Sequence, residues 1–214
     1  MGLFFKKVMK KLIDILKEKK YETDKWTDHY YVQHIYEDLF AQFNHKKINF
    51  LEIGVFNGES MKLWHDYFVN AKNIVGIDIF TRTTIEEVSK NLKGYDVDLH
   101  KINSKDDINK IREFSKKYKD GFDIIIDDGS HWYRSQIDTY KNFKNMMNPG
   151  GVYIIEDISF DDEESMYDSF ELSQNGKGME YFTRSVIQKE IPEINFNMSG
   201  GEKFQNQPVG IIYF

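Results

Sequence analysis

From Ile48 onward, short apolar runs alternate with helix-like segments at a spacing that leaves few architectures open. The runs are Asn49–Ile53, Ile74–Ile77, Val97–Ile102, Ile124–Ile126 and Val152–Ile155. Between them Glu59–Phe68, Thr84–Leu92, Asp106–Tyr118 and Tyr133–Met147 read as helices. Strands made of uninterrupted isoleucine and valine are buried on both faces, and strand–helix–strand units of this length cross over right-handed to give parallel pairing. The expected fold class is therefore α/β, a mostly parallel sheet with helices on both faces. Pro149-Gly150-Gly151 is expected to stop the fourth of these helices and turn the chain into the fifth strand. A helix around Met166–Leu172 and two last strands, Ile194–Met198 and Val209–Phe214, complete a sheet of seven.

At 214 residues the chain is long enough to bury a core without covalent staples, and with no cysteine it has neither disulfides nor thiolate metal sites. The net charge of −6 argues against a nucleic-acid partner, whose backbone calls for a basic surface. No apolar stretch approaches the roughly 18 residues that span a bilayer, and lysines interrupt what would be a signal peptide, so a cytoplasmic location is expected. Seven lysines against two acids give Met1 to Lys20 a balance of +5 and leave −11 for the rest. Residues 3–19 read as an amphipathic helix. Packing on the domain or across a homo-oligomer interface is favoured over docking on an anionic membrane surface, because an apolar stripe usually faces a core. An aromatic-rich segment, Tyr21–Tyr31, and a helix, Val32–Phe43, follow. The division expected is 1–45, the N-terminal helix and a lid-like helical segment, and 46–214, the domain that carries the sheet.

The chemistry-bearing residues sit where the apolar runs end. Ile124–Ile126 runs into Asp127-Asp128-Gly129-Ser130-His131, and Val152–Ile155 runs into Glu156-Asp157. Parallel sheets bind ligands outside the carboxyl ends of their strands. The first strand ends Glu52-Ile53-Gly54, with Gly58 opening the next helix, a spacing that is neither a dinucleotide fingerprint nor a P-loop. Asp78, at the end of the second strand, stands where an acid accepts hydrogen bonds from two ribose hydroxyls, and Asn103, after the third, stands where an amide meets an adenine edge. Each has a plainer reading: Asp78, Asn103, Asp128 and Ser130 as helix caps or turn residues, His131 as a surface histidine, Glu156-Asp157 as a solvated turn. Strand alternation points Asp127 and Asp128 to opposite faces, so the two should not share one role.

This combination resembles the class I S-adenosylmethionine-dependent methyltransferases, and more narrowly the magnesium-dependent macrolide-sugar O-methyltransferases. The resemblance rests on Thr23-Asp24-Lys25, His29-Tyr30-Tyr31, the Glu52–Gly58 turn, Asp127–His131 and Pro149–Asp157, and covers roughly residues 21 to 160. At the third strand, relatives carry Gly-Asp where this chain has Ile102-Asn103. The resemblance implies a Rossmann-like methyltransferase fold that binds S-adenosylmethionine with Thr23, Lys25, Glu52, Gly54, Gly58, Asp78, Asn103 and Asp127. It implies Mg²⁺ held by Asp128, Glu156 and Asp157, with His131 as general base and Asp128 contributing to catalysis. A carboxylate set without thiols suits such a hard cation. The implied substrate is a hydroxyl of a sugar, nucleotide-sugar or sugar-containing small molecule. Alternatives are another diol or a phosphorylated small molecule as acceptor, or a non-catalytic cofactor-binding protein of the same fold.

Overall fold

The computed structural model describes residues 10–158, 186–198 and 208–214. Seven strands form one sheet in the order β3-β2-β1-β4-β5-β7-β6. They are β1 (Asn49–Ile53), β2 (Asn73–Asp78), β3 (Asp98–Lys101), β4 (Phe122–Asp127), β5 (Met147–Ile155), β6 (Asn195–Met198) and β7 (Pro208–Tyr213). The first five pair in parallel, whereas β7 runs antiparallel to both β5 and β6. Strand order reverses between β1 and β4, and such a reversal opens a crevice at the carboxyl ends of the two strands.

The apolar runs behave as their composition demands. Leu51, Val75, Ile125 and Tyr153 face one core with helices α6 (Ile108–Lys117) and α7 (Tyr133–Phe143), and Phe50, Ile124 and Ile154 face the other with α4 (Glu59–Tyr67). The chain before the sheet joins that second core. Leu12, Ile15 and Leu16 of α1 (Leu12–Lys19) are buried with Phe40 of α3 (Glu37–Ala41). Tyr36, Phe40, Phe50, Trp64 and Phe68 stack edge and face with centroids 4.8–6.4 Å apart. Such rings supply large buried area and fixed geometry, so this cluster locks the N-terminal segment against β1 and α4.

Two local expectations are corrected. The helix expected from Val32 to Phe43 opens with a π-helical turn, Val32–Tyr36, before α3. Pro149-Gly150-Gly151 does not precede β5 but lies inside it. The β4–β5 register shifts between Phe122 and Ile124, and Gly150 adopts φ +80° while its N–H and the Gly151 carbonyl bond Phe214. Glycine's freedom at positive φ lets the strand bulge here without ending. Residues 1–9, Asp161–Glu164, the helix expected at Met166–Leu172 and the Ser199–Gly201 loop lie outside the described residues. No helix among the described residues is long and apolar enough to cross a membrane.

Candidate active site

The ends of β4 and β5 are direct neighbours: Asp127 pairs with Ile155, and the Glu156 N–H donates to the Asp127 carbonyl at 2.9 Å. On the other side, the Asp128 N–H donates to the Ile53 carbonyl at 2.8 Å, joining β4 to the turn after β1. Gly54 allows that approach. It has φ +93°, and a Cβ there would lie 2.0 Å from the Asp128 carbonyl oxygen. The adjoining turn and the N-terminal segment enclose a cleft of about 730 Å³, lined by Tyr21–Asp28, Gly54–Asn57 and, at its inner end, Asp128.

Beside that inner end, ligand atoms of Asp128, His131 and Asp157 lie within 4.8 Å of one another. His131 Nε2 is 3.4 Å from Asp128 Oδ1 and 3.6 Å from Asp157 Oδ2. The hydrogen bond to Asp128, reinforced by the charges of Asp157, Asp128 and Asp127, raises the His131 pKa against the opposing effect of burial. Asp157 holds φ +46°, a left-handed conformation uncommon outside glycine, which bends the chain at the strand end. Its backbone is secured by Gln136 of α7, whose side-chain amide donates to the Glu156 and Asp157 carbonyls.

Beneath this group lies a tier of enclosed acids. Lys25, 1% exposed, places Nζ 2.5 Å from Asp128 Oδ2, 2.6 Å from Glu156 Oε2 and 3.4 Å from Glu52 Oε1. Burial opposes the charge on Lys25, but Asp128, Glu156 and Glu52 together hold its pKa well above the ordinary range. Glu156, expected beside Asp128 and Asp157 on a cation, turns instead to Lys25 and to the Tyr36 hydroxyl. Burial, with the neighbouring Asp128 and Asp157 charges, pushes its carboxyl well up despite Lys25. Asp128 goes the other way: burial acts against its charge, yet Lys25 and His131 hold its pKa below the usual value. Glu52 accepts from Ser60 Oγ at 2.9 Å and Trp64 Nε1 at 3.1 Å, and burial raises it to about 7. Asp127 is enclosed between the Gly129 N–H and the Tyr153 hydroxyl, and burial raises it to about 8. Asp127 and Asp128 thus occupy different environments, as strand alternation requires.

The other cofactor candidates are spread more widely. Thr23, Lys25 and Gly54 line the cleft. Gly58 starts α4 at φ +88°, and a Cβ there would meet Leu92 at 3.2 Å. Asp78 accepts from the Val55 and Phe56 N–H groups, which ties β2 to the glycine turn, and from the Phe80 N–H. The Asn103 side chain closes on its own turn, through Lys105 N–H and Asp106. Sequence reasoning missed the hydroxyls of Tyr31, which donates to Asp157, and Tyr36, along with Ser60, Trp64 and Gln136. The five-residue spacing of the two tyrosines was the available signal. It becomes meaningful only in a π turn, whose hydrogen bonds span five residues and whose single-turn bulges concentrate at functional sites.

A methyltransferase-domain family model matches residues 51–158, half of the chain. An 8-demethyl-8-(2-methoxy-alpha-L-rhamnosyl)-tetracenomycin-C 3'-O-methyltransferase from Streptomyces olivaceus is 30% identical over 147 residues, which cover 65% of this chain and 35% of that protein. The mycinamicin VI 2''-O-methyltransferase of Micromonospora griseorubida is 27% identical, over 61% of this chain and 32% of its own length. The chain thus spans about a third of the length of these curated relatives. Among solved structures, the methyltransferase MycE from the mycinamycin biosynthetic pathway, in complex with Mg, SAH and mycinamycin VI, superposes with a TM-score of 0.65 at 21% identity. That match covers 96% of this chain and 55% of MycE. The sheet order, the glycine turn after β1 and the family match agree: this chain belongs to the methyltransferase-domain family.

Proposed function

We propose that this domain transfers a methyl group from S-adenosylmethionine to a hydroxyl of a sugar or sugar-containing small molecule, assisted by a divalent cation, with His131 as general base. The observation that carries the reading is the group of Asp128, His131 and Asp157, of which Asp128 also lines the cleft walled in part by the Gly54–Asn57 turn. The two relatives are named as O-methyltransferases of a rhamnosyl-tetracenomycin and of mycinamicin VI, and the MycE structure holds Mg and SAH.

The residues present fit both groups. The carboxylates of Asp128 and Asp157, in a chain with no thiol, suit a hard cation such as Mg²⁺ and leave the His131 imidazole free to act as the base. The cleft beside the Gly54–Asn57 turn, about 730 Å³, has the volume that a small-molecule cofactor needs. A cation at this position supplies the positive charge that makes a sugar hydroxyl acidic enough to lose its proton near neutral pH. The cofactor supplies a sulfonium methyl and leaves as a neutral thioether. His131 Nε2 takes the hydroxyl proton as the oxygen–carbon bond forms and the sulfur–carbon bond breaks. His131 Nε2 lies 3.4 Å from Asp128 and 3.6 Å from Asp157, so the imidazole stands beside the carboxylates that would hold the cation. Enclosure by the N-terminal segment orients the reactants and excludes water.

The test is Mg²⁺-dependent methyl transfer from S-adenosylmethionine to a panel of nucleotide-linked and rhamnosylated acceptors. EDTA should abolish turnover and Mg²⁺ restore it. Full activity in chelator would remove the cation, and no transfer to any sugar acceptor would remove the substrate class.

A further inference from the structure

In the cation-capable group, each carboxylate has one oxygen already taken. Asp128 presents Oδ1 toward His131 while Lys25 Nζ holds Oδ2 at 2.5 Å. Asp157 presents Oδ2 toward His131 while the buried Tyr31 hydroxyl donates to Oδ1. Both holding groups come from residues 25–31, ahead of the sheet that carries the carboxylates.

We propose that Tyr31 and Lys25 are positioning residues of the cation site, each occupying one oxygen of a ligating carboxylate so that the two remaining oxygens face one shared divalent cation. The inference rests on the reading that a cation binds at Asp128 and Asp157. Carboxylate torsions are broad and roughly two-fold, so an unheld Asp spreads its oxygens over many directions. Hydrogen bonds from outside the coordination sphere fix that orientation, and losing one typically weakens metal binding about 10–100-fold. Tyr31 is well placed for this. It is fully buried, and its ring stacks on His29 at 5.2 Å and meets Tyr36 edge-on at 6.2 Å, so the hydroxyl has a fixed direction. Tyr36, at the end of the π turn that Tyr31 precedes, is its counterpart with a different target: its hydroxyl donates to Glu156, outside the cation-capable group.

Mn²⁺ titration of the full chain followed by electron paramagnetic resonance, without acceptor or cofactor, tests the proposal. Tyr31→Phe, which keeps the ring and deletes only the hydroxyl, should raise the Mn²⁺ Kd by about 10–100-fold with an unchanged circular dichroism spectrum. Tyr36→Phe should leave the Kd where it is. An unchanged Kd in Tyr31→Phe, or an equal loss in Tyr36→Phe, overturns the positioning role. If the parent binds no Mn²⁺, the cation reading itself falls, whereas a parent that binds and a Tyr31→Phe that binds equally well sink this inference alone. Should Tyr31→Phe fail to fold, the parent still answers. Coupling is reciprocal, so a segment that strengthens cation binding must be stabilised by the cation. Amide exchange in residues 25–36 should slow on adding Mn²⁺, and unchanged exchange overturns the proposal.

Discussion

Two tiers of acids meet at the ends of β1, β4 and β5, and they differ in what their oxygens touch. In the outer tier, Asp128 and Asp157 each keep one oxygen beside His131. In the inner tier, Glu52, Asp127 and Glu156 are enclosed by Ser60 and Trp64, by Gly129 and Tyr153, and by Lys25 and Tyr36. Their proton affinities diverge accordingly. Asp128 sits below its usual pKa because Lys25 and His131 outweigh burial, while burial lifts Glu52 to about 7 and Asp127 to about 8. A buried charge is costly unless it is paired. Among these acids, Asp128 is the one whose partners favour its charge, while Glu52 and Asp127 are the ones whose enclosure disfavours it.

The sharpest way to break that distinction is at its outer edge. His131→Ala should lower turnover by about 10²–10⁴-fold while S-adenosylhomocysteine still binds by calorimetry; retained turnover would put the base elsewhere. Next comes the ion that joins the tiers. Lys25→Met leaves Asp128, Glu156 and Glu52 without their buried partner and should destabilise the fold by about 3–5 kcal/mol in urea titration. A loss no larger than that of a surface substitution would mean that the inner acids are neutral without it.

A smaller effect separates the tiers by pH. With Asp127 lifted from 3.8 to about 8, the folded state keeps a proton that the unfolded chain has shed between those values. That residue's contribution therefore falls as pH rises through the interval, by at most about 1.4 kcal/mol per pH unit. Asp127→Asn should remove one proton's worth of slope from stability measured between pH 4 and 8. An unaltered slope would mean that Asp127 is ionised in the fold. The mildest test lies deepest: Ser60→Ala deletes one hydrogen bond to Glu52 and should cost about 1 kcal/mol by thermal melting with S-adenosylhomocysteine affinity unchanged. Lost affinity would show that Glu52 acts on the cofactor.

Much of this was legible in the sequence. The run Ile124–Ile126 reads as a doubly buried strand because no polar residue interrupts it, and the five parallel strands fall within a few residues of their expected places. The acids and histidine after β4 and β5 stood out because buried runs that end in Asp-Asp and Glu-Asp need a reason for their charge. The division between the tiers was not legible. Nothing in Glu156-Asp157 says that one side chain turns to Lys25, 131 residues earlier, and the next toward His131. Nor does Tyr36, spaced like any core position of a helix, announce that its hydroxyl reaches a carboxylate.

Taken alone, then, the sequence determined the strands, the parallel pairing of the first five and the residue types at the strand ends. Those follow from local periodicity and from burial, which each segment expresses by itself. Only the tertiary structure decided which oxygen of each acid stays open. That choice depends on pairing charges across more than a hundred residues of chain, and on a π turn that aims two tyrosines at neighbouring carboxylates. In a low-dielectric interior, burial and such pairings together set the direction of each pKa shift, and both exist only once the strands have brought their partners together.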